Sequence, residues 1–186
     1  MNPLAAALAG YLCLVLDMSL SHALELGDTG VAPGFVLPLV VWLALSASHR
    51  SALWAALALG AAIDLASPVR KPLEAGYVLG PNALGFLAAA YLVITIRGTV
   101  MRRNPLALVT FTLIGGLLAA LVAVALLFVR SKLDGGMTGF APTSELLKRA
   151  GAAAYSMISA AALAVPFRMI TPMMGFDDPM ARRRPY

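Results

Sequence analysis

The chain is poor in the residues that bind metals, form disulfides or cover a water-soluble surface. Its 186 residues include one cysteine and two histidines, too few to supply four zinc ligands, a disulfide framework or a paired-cysteine redox site. Charged residues make up only 12% of the sequence, whereas soluble domains carry roughly 25%. The composition therefore predicts no metal ion, no cofactor and no water-soluble surface.

Motifs for common enzyme chemistry are missing as well. The sequence has no GxSxG nucleophile elbow, no HExxH metal motif and no glycine-rich phosphate loop. Lys plus Arg number 14 against 9 Asp plus Glu, but the basic residues lie between apolar runs and do not form one stripe. We therefore expect none of these three chemistries and no nucleic-acid partner.

Apolar residues dominate the chain, with a 60% share and a mean hydropathy of +0.84. A helix needs about 20 residues to cross about 30 Å of hydrocarbon. On this criterion we predict six transmembrane helices, at residues 3–20, 31–47, 51–66, 79–96, 105–129 and 150–170. The expected fold class is all-α: one compact six-helix transmembrane bundle at residues 1–172, followed by a short basic tail at 173–186.

Basic residues near the ends of these runs predict the orientation, because basic loops stay on the cytoplasmic side. A cytoplasmic N-terminus leaves the basic clusters at 97–103 and 182–184 inside and places Arg149 in an outer loop, so we expect both termini in the cytoplasm. The arginines at 182–184 would then contact anionic lipid headgroups. No basic leader precedes the first run and Asp17 interrupts it, so we interpret it as a helix and not as a cleaved signal peptide.

Two aspartates, Asp17 and Asp64, lie within predicted helices, where a carboxylate costs at least about 2.5 kcal/mol near the bilayer centre. Each ends a stripe of small residues four positions apart on one helix face. Because small residues let helices approach closely in lipid, both stripes predict packing seams, with helix 1 or helix 4 beside helix 3 and Leu53 facing lipid. The stripes are Ala5, Ala9 and Cys13 before Asp17, and Ala52, Ala56 and Gly60 before Asp64.

The aspartates have two interpretations. In the one we favour, each carboxylate lies at the outer boundary and accepts hydrogen bonds from the backbone or Asn82, or pairs with Arg70 or Lys71. In the other, the two acids share a proton and activate water, as in an intramembrane aspartyl peptidase. Neither acid has the neighbouring Asn found in the bacterial lipoprotein signal peptidase, which favours the structural interpretation.

Prolines and glycines indicate where helices end. Pro38 lies within the predicted helix 2, where its missing amide and its ring predict a kink or a break. The segment 67–81 contains three prolines as well as Gly76 and Gly80, so it cannot be a continuous helix. We expect a structured loop there, with Asn82 capping the first turn of helix 4.

Three segments in this order resemble the family of the rod shape-determining membrane protein MreD. They are FVLPL at 35–39, LGAAIDL at 59–65 and LGPNAL at 79–84. The resemblance covers residues 31–103, and the other helices agree in number and spacing. Its order, Pro-Leu, then G-x-x-x-D-L, then L-G-x-x-A-L, is more specific than any one segment.

The resemblance implies a non-enzymatic subunit of the bacterial cell-elongation complex in the inner membrane. Such proteins accompany MreC, a single-span scaffold, and work with the RodA polymerase, its penicillin-binding transpeptidase and the MreB filament, besides the membrane lipids. The family's fold is similar to that of the substrate-binding subunits of vitamin transporters, which supplies an alternative function. In the favoured mechanism the small-residue seams meet a partner helix.

Overall fold

The computed structural model describes residues 2–21, 23–27, 29–66, 69–70, 75–76, 79–98, 105–133 and 141–176. These residues form six α-helices and a closing 3₁₀ helix, and the predicted all-α fold class is confirmed. The α-helices are α1 Pro3–Leu20, α2 Val36–Ser46, α3 His49–Ala66, α4 Pro81–Ile96, α5 Pro105–Leu133 and α6 Pro142–Ile170. The 3₁₀ helix is Thr171–Met174, and a minimal antiparallel pair, β1 Val69–Arg70 with β2 Ala75–Gly76, separates α3 from α4.

Three of these helices are long and apolar enough to cross a membrane. They are α1, α5 from Leu106 onward, and α6 continued through the 3₁₀ helix to Met174. The helices α2 and α4 are apolar but shorter. Length and composition thus identify a membrane protein with three candidate spans among the described residues, half the number that the apolar runs predicted.

The start of α2 corrects the prediction for Pro38. The helix begins at Val36 and not at residue 31, so Pro38 lies in its first turn. The amides of a first turn have no partner inside the helix, so a proline there removes no hydrogen bond. The predicted kink is therefore wrong, and the proline marks the helix start instead.

The last helix starts earlier than its apolar run does. It begins at Pro142 and not at residue 150, because the preceding charged stretch is helical as well. Within that stretch Glu145 and Arg149 lie one turn apart and form an ion pair of 2.9 Å. A boundary drawn from hydropathy alone misses these two turns.

The helices run alternately between two ends of the bundle. At the aspartate end, Asp17 of α1 contacts the first turn of α2, and Asp64 of α3 contacts the first turn of α4. At the opposite, terminal end, the Asn2 amide donates to the Met174 carbonyl over 2.8 Å. The first helix and the closing 3₁₀ helix therefore meet at the same end.

The central helix of the bundle is α2. Every residue from Val36 to Leu45 is buried, as expected of a helix that is apolar on all sides. Its carboxyl end is closed by Arg97, which donates to the carbonyls of Ala44 and Ala47 over 2.7 and 2.6 Å. A cation at this position offsets the partial negative charge of the helix end. Arg97 follows the last residue of α4 and is 7% exposed, so this member of the basic cluster at 97–103 closes a helix end and does not face solvent.

Aromatic packing extends the core to the end of the described chain. Trp42 of α2 stacks on Phe167 at 4.8 Å between ring centroids, and Phe176 meets the same indole edge-on at 5.3 Å. Met174 is fully buried. The first residues of the predicted tail are thus part of the packed bundle, whereas the arginines at 182–184 lie outside the described residues.

Candidate functional site

Asp64 joins the end of α3 to the start of α4. Its carboxylate accepts hydrogen bonds from the amides of Gly80, Asn82 and Ala83 at 2.8, 3.1 and 3.1 Å, and its side chain is 3% exposed. Gly80 has φ of 129°, a backbone conformation that residues with a Cβ rarely adopt. The glycine therefore allows the turn that directs these amides at one carboxylate.

This arrangement corrects the expected role of Asn82. The residue was expected to cap α4 with its side chain, but it lies inside the first turn, and Asp64 supplies the cap from another helix. A carboxylate at a helix N-terminus satisfies orphan amides and interacts favourably with the helix dipole. These hydrogen bonds are the physical reason that this carboxylate can be buried. Lys71 lies outside the described residues.

The seam before Asp64 packs against α4. Ala52, Ala56 and Gly60 are buried, and a Cβ added at Gly60 would lie 2.5 Å from the Ala83 Cα. Helix 4 is thus the partner of this seam, and helix 1, the first choice from the sequence, is not. The predicted lipid-facing position is wrong too, because Leu53 packs against the core.

Asp17 repeats the arrangement of Asp64 at the start of α2. Its two carboxylate oxygens accept from the amides of Phe35 at 2.5 Å and Val36 at 3.2 Å. These amides follow Asp17 by 18 and 19 residues, and the Asn82 and Ala83 amides follow Asp64 by the same 18 and 19. The first four helices therefore contain the same aspartate-capped helix pair twice.

The seam before Asp17 is less tightly enclosed. Ala9 and Cys13 are buried, while Ala5 is half-buried and packs against the core. Asp17 itself is half-buried. No hydrogen bond links it to Asp64 within the described part of the chain. Each acid thus caps the start of a different helix.

A cavity of about 520 Å³ opens at the aspartate end. Such a volume is typical of small-molecule sites, which are concave and apolar with a few polar groups. All six helices contribute to its wall, and its charged or amide-bearing lining residues are Asp17, Asn82 and Arg149. Asp64 does not line it. The cavity is the candidate functional site.

Arg149 forms the basic part of the cavity wall. Its Nε donates to Glu145 over 2.9 Å and its Nη1 donates to the Asn82 Oδ1 over 2.9 Å. The sequence placed Arg149 in an outer loop, and the signal for its true position is the Glu-x-x-x-Arg spacing, which is typical of one helix face. The arginine and the amide form one polar group on the wall.

Two serines of α6 form hydrogen bonds with Gly34, just before the start of α2. Ser156 accepts from the Gly34 amide at 2.8 Å, and Ser159 donates to the Gly34 carbonyl at 2.6 Å. Both serines are buried. Sequence spacing does not show these contacts, because Gly34 lies 122 and 125 positions before the two serines.

No protein-family model, curated protein or solved structure matches the chain. Among the described residues, no group of three or more histidine, cysteine, aspartate or glutamate side chains is placed to hold a metal ion. The functional assignment therefore depends on the sequence motifs and on the geometry above.

Proposed function

We propose that this protein is a non-enzymatic membrane subunit of the MreD type, which binds an MreC-like single-span scaffold and helps to regulate peptidoglycan synthesis and cell shape. The RodA polymerase, its penicillin-binding transpeptidase and the MreB filament are the proposed wider partners. The protein is placed in the bacterial inner membrane. The three sequence segments at 35–39, 59–65 and 79–84 support the family assignment.

The single observation that carries a partner-binding role is the uncovered face of α1. Only 17% of this helix is buried, although the Asn2 and Asp17 hydrogen bonds hold it at both ends. Its exposed face therefore has a fixed position and offers large apolar side chains to a second helix. These side chains are Leu4, Leu8, Tyr11, Leu12, Val15 and Met18.

A six-span topology with both termini in the cytoplasm belongs to the same proposal. The alternating helix directions and the Asn2 to Met174 hydrogen bond support it. The aspartate end, with the cavity, would then face the outer leaflet. Reporter fusions at both termini test this orientation, and a terminus on the outer side would contradict it.

Cross-linking in native membranes tests the partner. In a Cys13→Ala background, single cysteines at Leu8 or Leu12 should cross-link to an MreC-like span identified by mass spectrometry. A cysteine at Ile158, which is 65% exposed on α6, is the control and should not give that product. Equal cross-linking from both helices, or none from α1, would contradict the proposed face.

The cavity favours a second candidate function, the substrate-binding subunit of a vitamin-type transporter. A pocket between helices with a few polar groups is what such a subunit requires. Detergent extraction and pulldown distinguish the candidates. An MreC-like scaffold among the co-purifying proteins supports the first, and a transporter energising module supports the second.

Substitution of the two aspartates tests whether the protein is a peptidase. Because each carboxylate is engaged with a helix N-terminus, we expect Asp17→Asn and Asp64→Asn to leave any lipoprotein-peptide cleavage at background. Cleavage by the wild type that Asp64→Asn abolishes would show that the non-enzymatic proposal is wrong.

A further inference from the structure

We infer that the cavity at the aspartate end binds an amphiphile with a single oxyanion head, a phosphate or a carboxylate, which contacts Arg149 and Asn82. The inference concerns the cavity alone and holds with either proposed function. Two features of the wall define this ligand: donors of Arg149 and Asn82 that have no partner among the described residues, and a mostly apolar remainder.

The unused donors lie on neighbouring side chains. Arg149 uses its Nε and Nη1, and the hydrogen bonds of the described residues leave its Nη2 without a partner. Asn82 uses its Oδ1 as an acceptor, and its Nδ2 likewise has no partner among them. No side-chain nitrogen or oxygen of the described residues is both buried and unsatisfied, so these donors are accessible. Adjacent guanidinium and amide donors fit the oxygens of an oxyanion.

Asp17, the acidic residue of the cavity wall, does not require a cationic ligand. Both oxygens of Asp17 accept amides from the start of α2, and the positive end of that helix offsets the carboxylate charge. Among the described residues Arg149 forms one ion pair, with Glu145, and the two side chains are 28% and 34% exposed. Ion pairs that water can reach are weak, so the arginine can bind a second anion.

Apart from Ser21 and Ser156, the remaining side chains of the wall are apolar. Leu14, Ile63 and Phe86 line it together with alanines of α5 and α6, including Ala120 and Ala152. These side chains offer no hydrogen bonds to a fully polar solute, and they favour a ligand with a hydrocarbon or ring portion. The combination selects an amphiphile over a free inorganic anion.

Calorimetric titration of the purified chain in neutral detergent tests the chemistry. Octyl phosphate carries both required features, inorganic phosphate carries only the head, and octyltrimethylammonium carries the opposite charge. We expect saturable binding of octyl phosphate alone. Equal binding of octyltrimethylammonium, or of inorganic phosphate, would overturn the inference.

Three variants locate the binding. Arg149→Met should weaken octyl phosphate binding about tenfold or more, the usual effect of losing a charge-assisted hydrogen bond. Ala152→Phe fills the cavity while keeping the arginine, and it should weaken binding as much. Lys148→Met removes the same charge from the adjacent exposed position and should leave binding unchanged. Unchanged binding in Ala152→Phe, or equal weakening in Lys148→Met, would place the anion elsewhere.

Native mass spectrometry separates the two sources of such a ligand. An anionic phospholipid that co-purifies with the wild type and is absent from Ala152→Phe indicates a membrane lipid. A soluble amphiphilic acid is indicated if the wild type takes up octanoate equally in nanodiscs of phosphatidylglycerol and of phosphatidylcholine. Loss of MreC cross-linking without loss of octyl phosphate binding would separate a failure of the proposed function from a failure of this inference.

Discussion

The α1–α2 pair and the α3–α4 pair are built on the same plan and closed to different degrees. In each, a stripe of small residues leads to an aspartate that caps the following helix with amides 18 and 19 residues later. In the second pair, Gly60 brings the backbones together and Asp64 is 3% exposed. In the first, Asp17 is half-buried and lines the cavity.

The difference shows that one capping arrangement serves two purposes. Where the helices touch, as at Gly60, the buried aspartate stabilises the bundle. Where they remain apart, as at Asp17, the same cap fixes a helix end beside an open site. Variants in matched positions of the two pairs should therefore have unequal effects.

The largest effect is expected for Gly60→Leu. A Cβ there would lie 2.5 Å from the Ala83 Cα and 2.7 Å from the Asn82 carbonyl oxygen, and backbone atoms cannot move aside as side chains do. We expect a loss of at least about 3 kcal/mol in the free energy of unfolding, or no folded protein. Thermal unfolding in detergent measures it. Ala58→Leu, at an exposed position of the same helix, is the control, and equal stability of the two variants would show that the seam is not tight.

The next largest effect is expected for substitution of the aspartates, and the two positions should differ. Asp64→Ala leaves three amides without an acceptor in a buried place, and we expect it to lower the free energy of unfolding by about 2 to 4 kcal/mol. Asp17→Ala leaves only two amides, behind a side chain that lines the cavity, so a smaller loss of about 1 kcal/mol is expected. Chemical denaturation of both variants measures the two losses in the free energy of unfolding. A larger loss for Asp17→Ala would show that the α1–α2 pair, and not the α3–α4 pair, is the more tightly closed one.

A smaller effect is expected where Ser156 of α6 contacts Gly34, just before α2 of the α1–α2 pair. Ser156→Ala removes the acceptor of the Gly34 amide, and we expect a loss of about 1 kcal/mol in the free energy of unfolding. Ser144→Ala, at an exposed position of the same helix, should change it little. The same denaturation assay measures both, and a silent Ser156→Ala would mean that Gly34 is held by other contacts.

The smallest effect is expected for Gly10→Ala, a glycine change on α1 where that helix faces α3. The added Cβ would meet the Leu59 Cδ2 at 2.9 Å, the far end of a flexible side chain. Alanine is also favoured over glycine within a helix by about 1 kcal/mol. We expect a change in unfolding free energy below about 1 kcal/mol, against a much larger loss for Gly60→Ala. Comparable losses would show that α1 packs as tightly against α3 at Gly10 as α3 packs against α4 at Gly60.

Local features of the fold could be predicted from the sequence. The bounds of α1 agree with the first apolar run, and the stripes ending at Asp17 and Asp64 follow from positions four apart. Both depend on residues within one helix, where the spacing fixes the face. Burial of Ala52, Ala56 and Gly60 follows the same pattern.

Contacts between distant segments could not be predicted in this way. The capping of α4 by Asp64, the closure of α2 by Arg97 and the contact of Arg149 with Asn82 each join separate helices. Sequence spacing does not show which amide a carboxylate will meet after the chain turns back. The two arginines were therefore counted as loop charges, although one closes a buried helix and the other lines the cavity.

The cavity occupies the space that a longer α2 would fill. The central helix α2 has 11 residues where α1 has 18, and at about 1.5 Å per residue it is about 10 Å shorter. Pro33, Gly34 and Leu37, at and just before its start, line the cavity. The empty volume thus depends on where α2 begins. A related chain in which α2 began two turns earlier would keep the bundle and lose the site.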